Sequence, residues 1–265
     1  MLIALPDAYE AVDAHNHVYL NGQGELDRPR AAALLDGAER LGIAGLCVSS
    51  PLTDDCPTPE QVRRHNDIVI EAMAMSDRFQ GFCFVNPGFA GEACDEIRRC
   101  LDAGMVGIKL YHQYRVCDPA QTAVMALAAD KQVPVLMHAG RVTDSVTRSR
   151  QPRLSDASHF LKAAAMFPET MLIQGHIGGG GDWEWNLRIL EACPPNLFID
   201  ISGSVVDSGI VRRTVESVGV EHVLFATDGS LEEGVGKLLA ARLPEPDLKR
   251  IAGATMRGLL SRRRV

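Results

Sequence analysis

Eight short apolar runs recur along the chain, separated by longer segments of helical period, and this alternation constrains the fold more than any other feature. The runs are AVDAHNH (11–17), IAGLCVSS (43–50), QGFCFVNP (80–87), MVGIKLY (105–111), VPVLMHA (133–139), TMLIQGH (170–176), NLFIDIS (196–202) and HVLFATD (222–228). Their near-continuous hydrophobicity suits strands covered on both faces, where a half-exposed sheet would alternate. Repeated strand–helix units build a parallel sheet, and 265 residues suit one closed barrel. We therefore expect an α/β fold, a TIM (β/α)8 barrel, in a single domain over 1–265. No Ser/Gly-rich linker or charge block divides the chain. A doubly wound open sheet is the alternative, because eight parallel strands do not by themselves prove closure.

Helix starts are marked between the runs. Thr58, Pro59, Glu60 and Gln61, and again Asp118, Pro119, Ala120 and Gln121, offer an N-cap, a proline at the first helical position and a glutamine placed to close a capping box. Ser230 with Glu233 offers the same after the eighth run. The segment 140–155, GRVTDSVTRSRQPRLS, reads as a long loop after the fifth strand.

Polar residues able to hold a metal gather at the ends of these runs, and in a barrel the C-terminal ends of the strands form the active-site face. His15 and His17, two apart, point the same way from the first strand, with Asp13 one layer deeper on that face. Lys109 ends the fourth run, His138 the fifth, His176 the sixth and Asp228 the eighth. One strand-end histidine is ordinarily a hydrogen-bonded structural residue. Several at one end are costly without partners, since a packing role would favour Val, Ile or Leu there. Imidazole and carboxylate are ligands of divalent ions, Zn2+ foremost, and one or two ions fit this set. Such an ion lowers the pKa of bound water to about 7, and Asp228 can act as ligand and general base. Lys109 is read either as an ammonium paired with Asp13 or with a substrate carboxylate, or as a carboxylated lysine bridging two ions.

These residues resemble the amidohydrolase superfamily, in the group called amidohydrolase-2 that includes aminocarboxymuconate-semialdehyde decarboxylase. The matching pieces are DAHNH (13–17), GIKLYHQY (107–114), VLMHAG (135–140), FPETMLIQGHIGGGG (167–181) and FATDGS (225–230), in the family's order. The resemblance implies that His15, His17 and His138 bind metal and that Asp228 is ligand and base. It implies that His176 acts on water or substrate in a one-metal site, or joins His138 on a second ion bridged by carboxylated Lys109. The aromatic signature often found after the last aspartate is replaced by Gly229, Ser230 and Leu231.

The expected function is a metal-dependent hydrolase opening an amide, lactone or related bond of a small carboxylate-bearing molecule. Non-oxidative decarboxylation of an unsaturated or aromatic acid is the alternative, and a non-catalytic small-ligand barrel a third. Arg141 and Arg153 in the long loop, with Tyr111, are candidate substrate contacts; guanidinium matches carboxylate in a fork. His112, Tyr114 and Arg115 either line the same cavity or pack the rim. The glycine run 178–181 lacks phosphate-loop spacing and reads as backbone passing close to the site; Trp183 and Trp185 read as pocket wall or packing.

A net charge of −7 without a basic stripe argues against a nucleic-acid partner, and the absence of a run of ~18 apolar residues against a membrane span. The SRRRV end (261–265) reads as a solvated tail. Seven scattered cysteines without paired spacing read as buried thiols in a reducing cytoplasm, and the N-terminus does not resemble a signal peptide. The resemblance makes a homo-oligomer an expectation.

Overall fold

The computed structural model describes residues 3–142, 144–177 and 182–264. Its strands are β1 (Ala11–His17), β2 (Ile43–Ser49), β3 (Phe79–Phe84), β4 (Gly107–Leu110), β5 (Val135–Met137), β6 (Leu172–Gln174), β7 (Leu197–Asp200) and β8 (Val223–Leu224). All neighbours pair in parallel in the order β1 to β8. The seam between β8 and β1 is bridged by backbone bonds from Ala14 N to Phe225 O at 3.0 Å and from Asp228 N to His15 O at 2.9 Å. The sheet is therefore a barrel, and the open-sheet alternative falls.

The helices are α1 (Arg28–Arg40), α2 (Pro59–Met73), α3 (Ala90–Asp102), α4 (Thr122–Lys131), α5 (Ser145–Arg150), α6 (Ala157–Met166), α7 (Trp183–Leu190), α8 (Ile210–Val218), α9 (Leu231–Ala240), α10 (Glu245–Lys249) and α11 (Thr255–Leu260). A π-helical turn over Arg250–Ala254 joins the last two. Inside the barrel, Val12, Phe82, Leu136 and Ile173 form an apolar cluster with Met256 and Leu259 of α11. A larger apolar shell lies between strands and helices. Apolar side chains thus fill the barrel's interior, and the chemistry is confined to its mouth.

The capping box of α2 forms as expected: Thr58 Oγ1 accepts from Gln61 N at 3.3 Å, and Gln61 Oε1 accepts from Thr58 N at 2.8 Å. Thr58→Ala is expected to cost about 1 kcal/mol, lowering the melting temperature by roughly 2–4 °C; an unchanged thermal transition by circular dichroism would discard this account.

Several local expectations are corrected. Asp118 caps a 3-10 turn, Pro119–Gln121, through Ala120 N at 2.9 Å, and α4 begins only at Thr122. Ser230 makes no side-chain cap, and Glu233, expected to close the box, pairs with Lys237 at 2.8 Å. The segment after β5 is not a bare loop: Asp144 accepts from Thr147 N at 2.8 Å and starts α5. The basic end stays largely solvated, with Ser261, Arg262 and Arg264 exposed, yet it is anchored: Arg264 N bonds Lys131 O at 2.9 Å and the Arg263 side chain bonds Leu101 O. Cys56 is exposed, Cys94 and Cys193 half-buried, and all seven cysteines are free.

The placement of Asp13 is also corrected. In the β1–β2 ladder Asp13 faces Leu46 while Asn16 faces Val48, so three steps on β1 match two on β2. That bulge breaks strict alternation. It sends the Asp13 carboxylate to the β1–β8 seam, where it accepts from Thr227 N at 3.0 Å and Thr227 Oγ1 at 2.6 Å rather than sitting beneath the histidines.

Candidate metal centre

Residues from the ends of five strands, β1, β4, β5, β6 and β8, meet at the mouth. His17 Nε2 lies 3.1 Å from Asp228 Oδ1, and His15 Nε2 lies 3.9 Å from the same oxygen. Lys109 Nζ, fully buried, is 2.5 Å from His15 Nε2; its partner is that ring, not Asp13. His138 Nδ1 is 2.9 Å from His176 Nε2, which is 3.9 Å from Asp228 Oδ2. His176 and Asp228 both adopt left-handed backbone, with φ of 68° and 51°. Such conformations cost about 1–3 kcal/mol and cluster at working sites. Here they turn two side chains sharply off their strands into the mouth.

Close approach also needs a residue without a side chain. A Cβ on Gly175 would stand 2.9 Å from Met137 O and 3.2 Å from His15 Cε1, so glycine before His176 lets β6 pass against the His15 ring. The glycine run expected to do this lies at 178–181, outside the described residues.

The donor set fits a cation. His17 Nδ1 is 3.3 Å from Ser49 O and 3.2 Å from Ser49 Oγ; in the tautomer that donates Nδ1–H to that carbonyl, the Nε2 lone pair faces the Asp228 carboxylate. In that tautomer two acceptors stand 3.1 Å apart and call for a positive charge between them. Protonating the ring would supply one, but burial pushes His17 down from its ordinary value. Burial, then the Lys109 charge, pushes His15 down to about 3. Burial and His176 push His138 well below, and burial lowers His176. Burial raises Asp228, but the His17 bond and the facing His15 and His176 rings hold it far below the usual carboxylate range. Neutral imidazoles beside an ionised carboxylate are a divalent-metal ligand set, and the ligand atoms of His15, His17 and Asp228 lie within 4.8 Å of one another.

A second trio, His15, His176 and Asp200, is equally close, but both Asp200 oxygens are already taken. Oδ2 is 2.8 Å from His15 Nδ1; Oδ1 accepts from His176 N at 2.8 Å and Ser202 Oγ at 2.6 Å. Asp200 braces the ligands from behind.

The family model for amidohydrolases matches residues 12–233. The chain belongs to the amidohydrolase family. Solved structures share its fold: a 5-carboxyvanillate decarboxylase, LigW, from Sphingomonas paucimobilis (TM-score 0.73, 15% identity, covering 96% of this chain and 99% of that one); a dihydroxybenzoic acid decarboxylase from Polaromonas with bound manganese and an inhibitor (0.68, 17%, 97% and 98%); and a 4-oxalomesaconate hydratase, LigJ, from Rhodopseudomonas palustris (0.74, 15%, 95% and 96%). No curated protein matches in sequence. In this amidohydrolase, none of the described helices is long and apolar enough to cross a membrane.

The candidate substrate contacts separate. Tyr111 stacks on His138 with ring centroids 4.4 Å apart, its hydroxyl pushed up to about 12 by burial and Asp228. Arg141 lies 3.5 Å over the Trp185 ring. Arg153 is 3.4 Å from Asp55 O and 5.3 Å from the Tyr114 ring. Neither arginine lines the cavity of about 470 Å³ that opens onto Asp228. Its cations are Arg30 and Arg40 of α1, and Arg30 lies 3.7 Å over the Tyr19 ring on its wall. Trp183 packs, donating to Asp207 Oδ2 at 2.6 Å, and His112 is buried against Tyr111.

Sequence reading missed Asp200, Ser202, Tyr19 and Arg30. Asp200 was open to the rule that found the others, a polar group at the end of an apolar run. Arg30 carries no such signal: a basic residue in a first helical turn looks like solvated surface.

Proposed function

We propose that this amidohydrolase releases CO2 non-oxidatively from a small unsaturated or aromatic acid. The observation that carries it is the cavity at Asp228, walled by the Tyr19 ring, with Arg30 making no ion pair among the described residues. A flat ring suits an aromatic wall and a carboxylate suits a guanidinium. The decarboxylase activity named for two proteins of this fold supports the same reading. His15, His17 and Asp228, with His138 beside them, would hold a divalent ion, which when bound would supply the positive charge to polarise a substrate oxygen. Zn2+ suits the imidazole-rich set and Mn2+ is the other candidate, given the manganese in one relative.

The chain's own groups do the rest. Arg30 orients the acid, and Tyr111, stacked on the His138 ring, holds that ring in place. Asp228 and His176 handle the proton that replaces the lost carboxyl group. Arg141 and Arg153, held on Trp185 and Asp55, remain candidates for a more distant carboxylate. Burial lowers Lys109 to about 8 against the pull of Asp228 and Asp200, which makes its neutral amine available to react with CO2. A second ion would require that modification, which intact-mass spectrometry detects. A cytoplasmic setting fits seven free thiols.

One observation favours hydrolysis as a second reading. The Asp228 side chain is 33% exposed while His15 is fully buried, so water reaches the base. Protein loaded separately with Zn2+ and Mn2+ and offered aromatic and unsaturated acids, lactones and amides distinguishes the two. CO2 evolved from an acid supports decarboxylation. Turnover confined to lactones or amides would replace it with hydrolysis, and metal-loaded protein that only binds would point to a ligand-binding barrel.

A further inference from the structure

His15 and His176 reach the mouth from different strands, yet the Nδ1 atoms of both rings trace back to one buried carboxylate. Asp200 Oδ2 lies 2.8 Å from His15 Nδ1. Asp200 Oδ1 accepts from His176 N at 2.8 Å, Ser202 N at 2.9 Å and Ser202 Oγ at 2.6 Å. Ser202 Oγ is in turn 2.8 Å from His176 Nδ1.

The direction of each bond follows from the donor inventory. Lys109 Nζ, 2.5 Å from His15 Nε2, donates to that nitrogen and leaves the ring proton on Nδ1, so every group around the fully buried Asp200 can donate to it; the carboxylate is ionised and only accepts. The single proton of Ser202 is then spent on Asp200, and its oxygen can only accept from His176. His176 therefore carries its proton on Nδ1, as does His15, and both turn an Nε2 lone pair toward the centre.

We infer that Asp200, extended by the Ser202 hydroxyl, is a positioning residue that fixes the tautomers of His15 and His176 together. The wire is held in place from outside the barrel. A Cβ on Gly203 would stand 3.0 Å from His176 Cβ, and Gly203 has a φ of 95°, so the turn after Ser202 lies directly on the His176 ring and needs glycine. Lys237 of α9, buried, donates to Gly203 O at 2.6 Å and Val205 O at 3.2 Å while paired with Glu233. That clamp seats Ser202 under His176.

The tautomer assignment stands without any ion; only its effect on affinity rests on reading His176 as a metal-site residue. Metal-free protein with 15N-labelled histidine, at about pH 8 where free imidazole is neutral, should show His15 and His176 in the Nδ1–H form by two-bond 1H–15N correlation. Ser202→Ala should release His176 toward the Nε2–H form and leave His15 unchanged, and Ser202→Thr, which keeps the hydroxyl, should restore it. Zn2+ affinity, read by competition with a chromophoric chelator, should weaken about 10–100-fold in Ser202→Ala. An Nε2–H tautomer for His176 in the unmodified protein, or a His176 spectrum untouched by Ser202→Ala, overturns the inference. A changed tautomer with unchanged Zn2+ affinity upholds it and counts instead against His176 as a ligand.

Discussion

Asp228→Asn and His17→Ala are expected to leave a folded barrel stripped of its divalent ion, with affinity reduced beyond the roughly 100-fold upper range for residues behind the ligands and turnover lost with it. The motivating geometry is the 3.1 Å contact between His17 Nε2 and Asp228 Oδ1. With the His17 proton on Nδ1, directed to Ser49 O, the Nε2 lone pair and the carboxylate form two of the donors that a divalent ion takes. Asparagine is the informative replacement at 228. It keeps the size and tolerates the left-handed φ of 51°, so it removes the charge without disturbing the turn. Neither change empties the core, because His17 and Asp228 sit at the mouth with side chains 13% and 33% exposed. Metal analysis by mass spectrometry, alongside a thermal transition under chelator, reads the two effects separately. If both variants retained stoichiometric metal, the centre would have to lie elsewhere.

The fold was legible because strands covered on both faces must be apolar throughout, and the runs around His15, Lys109, His138 and Asp228 therefore stood out from the helices. Their extents were not. HVLFATD reads as seven residues of strand, yet β8 holds only Val223 and Leu224, because Phe225 N leaves the sheet to bond Ile251 O at 2.9 Å. A bulge is equally silent in sequence: Asp13 and His15 are two apart, but the extra residue on β1 places one at the seam and the other at the centre. The ligand histidines and Asp228 were readable as strand-end polar groups. Asp200 obeyed the same rule, and its missing neighbour was the difficulty, since only the fold shows that Ser202 lies under His176. The arginines failed for a different reason. Arg141 and Arg153 follow a ligand strand in sequence, whereas Arg30 is brought to the cavity by α1, which starts at the mouth where Asp27 accepts from Arg30 N.

Withdrawing the metal is expected to lower the melting temperature by roughly 8–16 °C. An ion that binds only the native state at a thousand times its dissociation constant stabilises by about 4 kcal/mol, and in a chain of this size each kcal/mol is worth about 2–4 °C. The chelated protein should also become more acid-sensitive. His15 sits at about 3 when folded against an ordinary 6.5, and His17, His138 and His176 are lowered as well, all chiefly by burial. Below pH 6.5 the unfolded chain binds these protons and the folded one resists them, so the stability they contribute is full above that value and is lost as pH falls toward 3. Asp13 works in the opposite direction, since burial raises it to about 7 and the folded state takes up its proton first, but it is one carboxyl set against several imidazoles. Metal-free protein should therefore melt progressively lower from pH 6.5 downward, as measured by calorimetry with and without chelator. A melting temperature indifferent to chelator at neutral pH would mean that the native state holds no ion worth several kcal/mol. A metal-free protein whose melting temperature did not fall through that window would mean that the imidazoles at the mouth are already charged, and the lone pairs that the centre depends on would not be there.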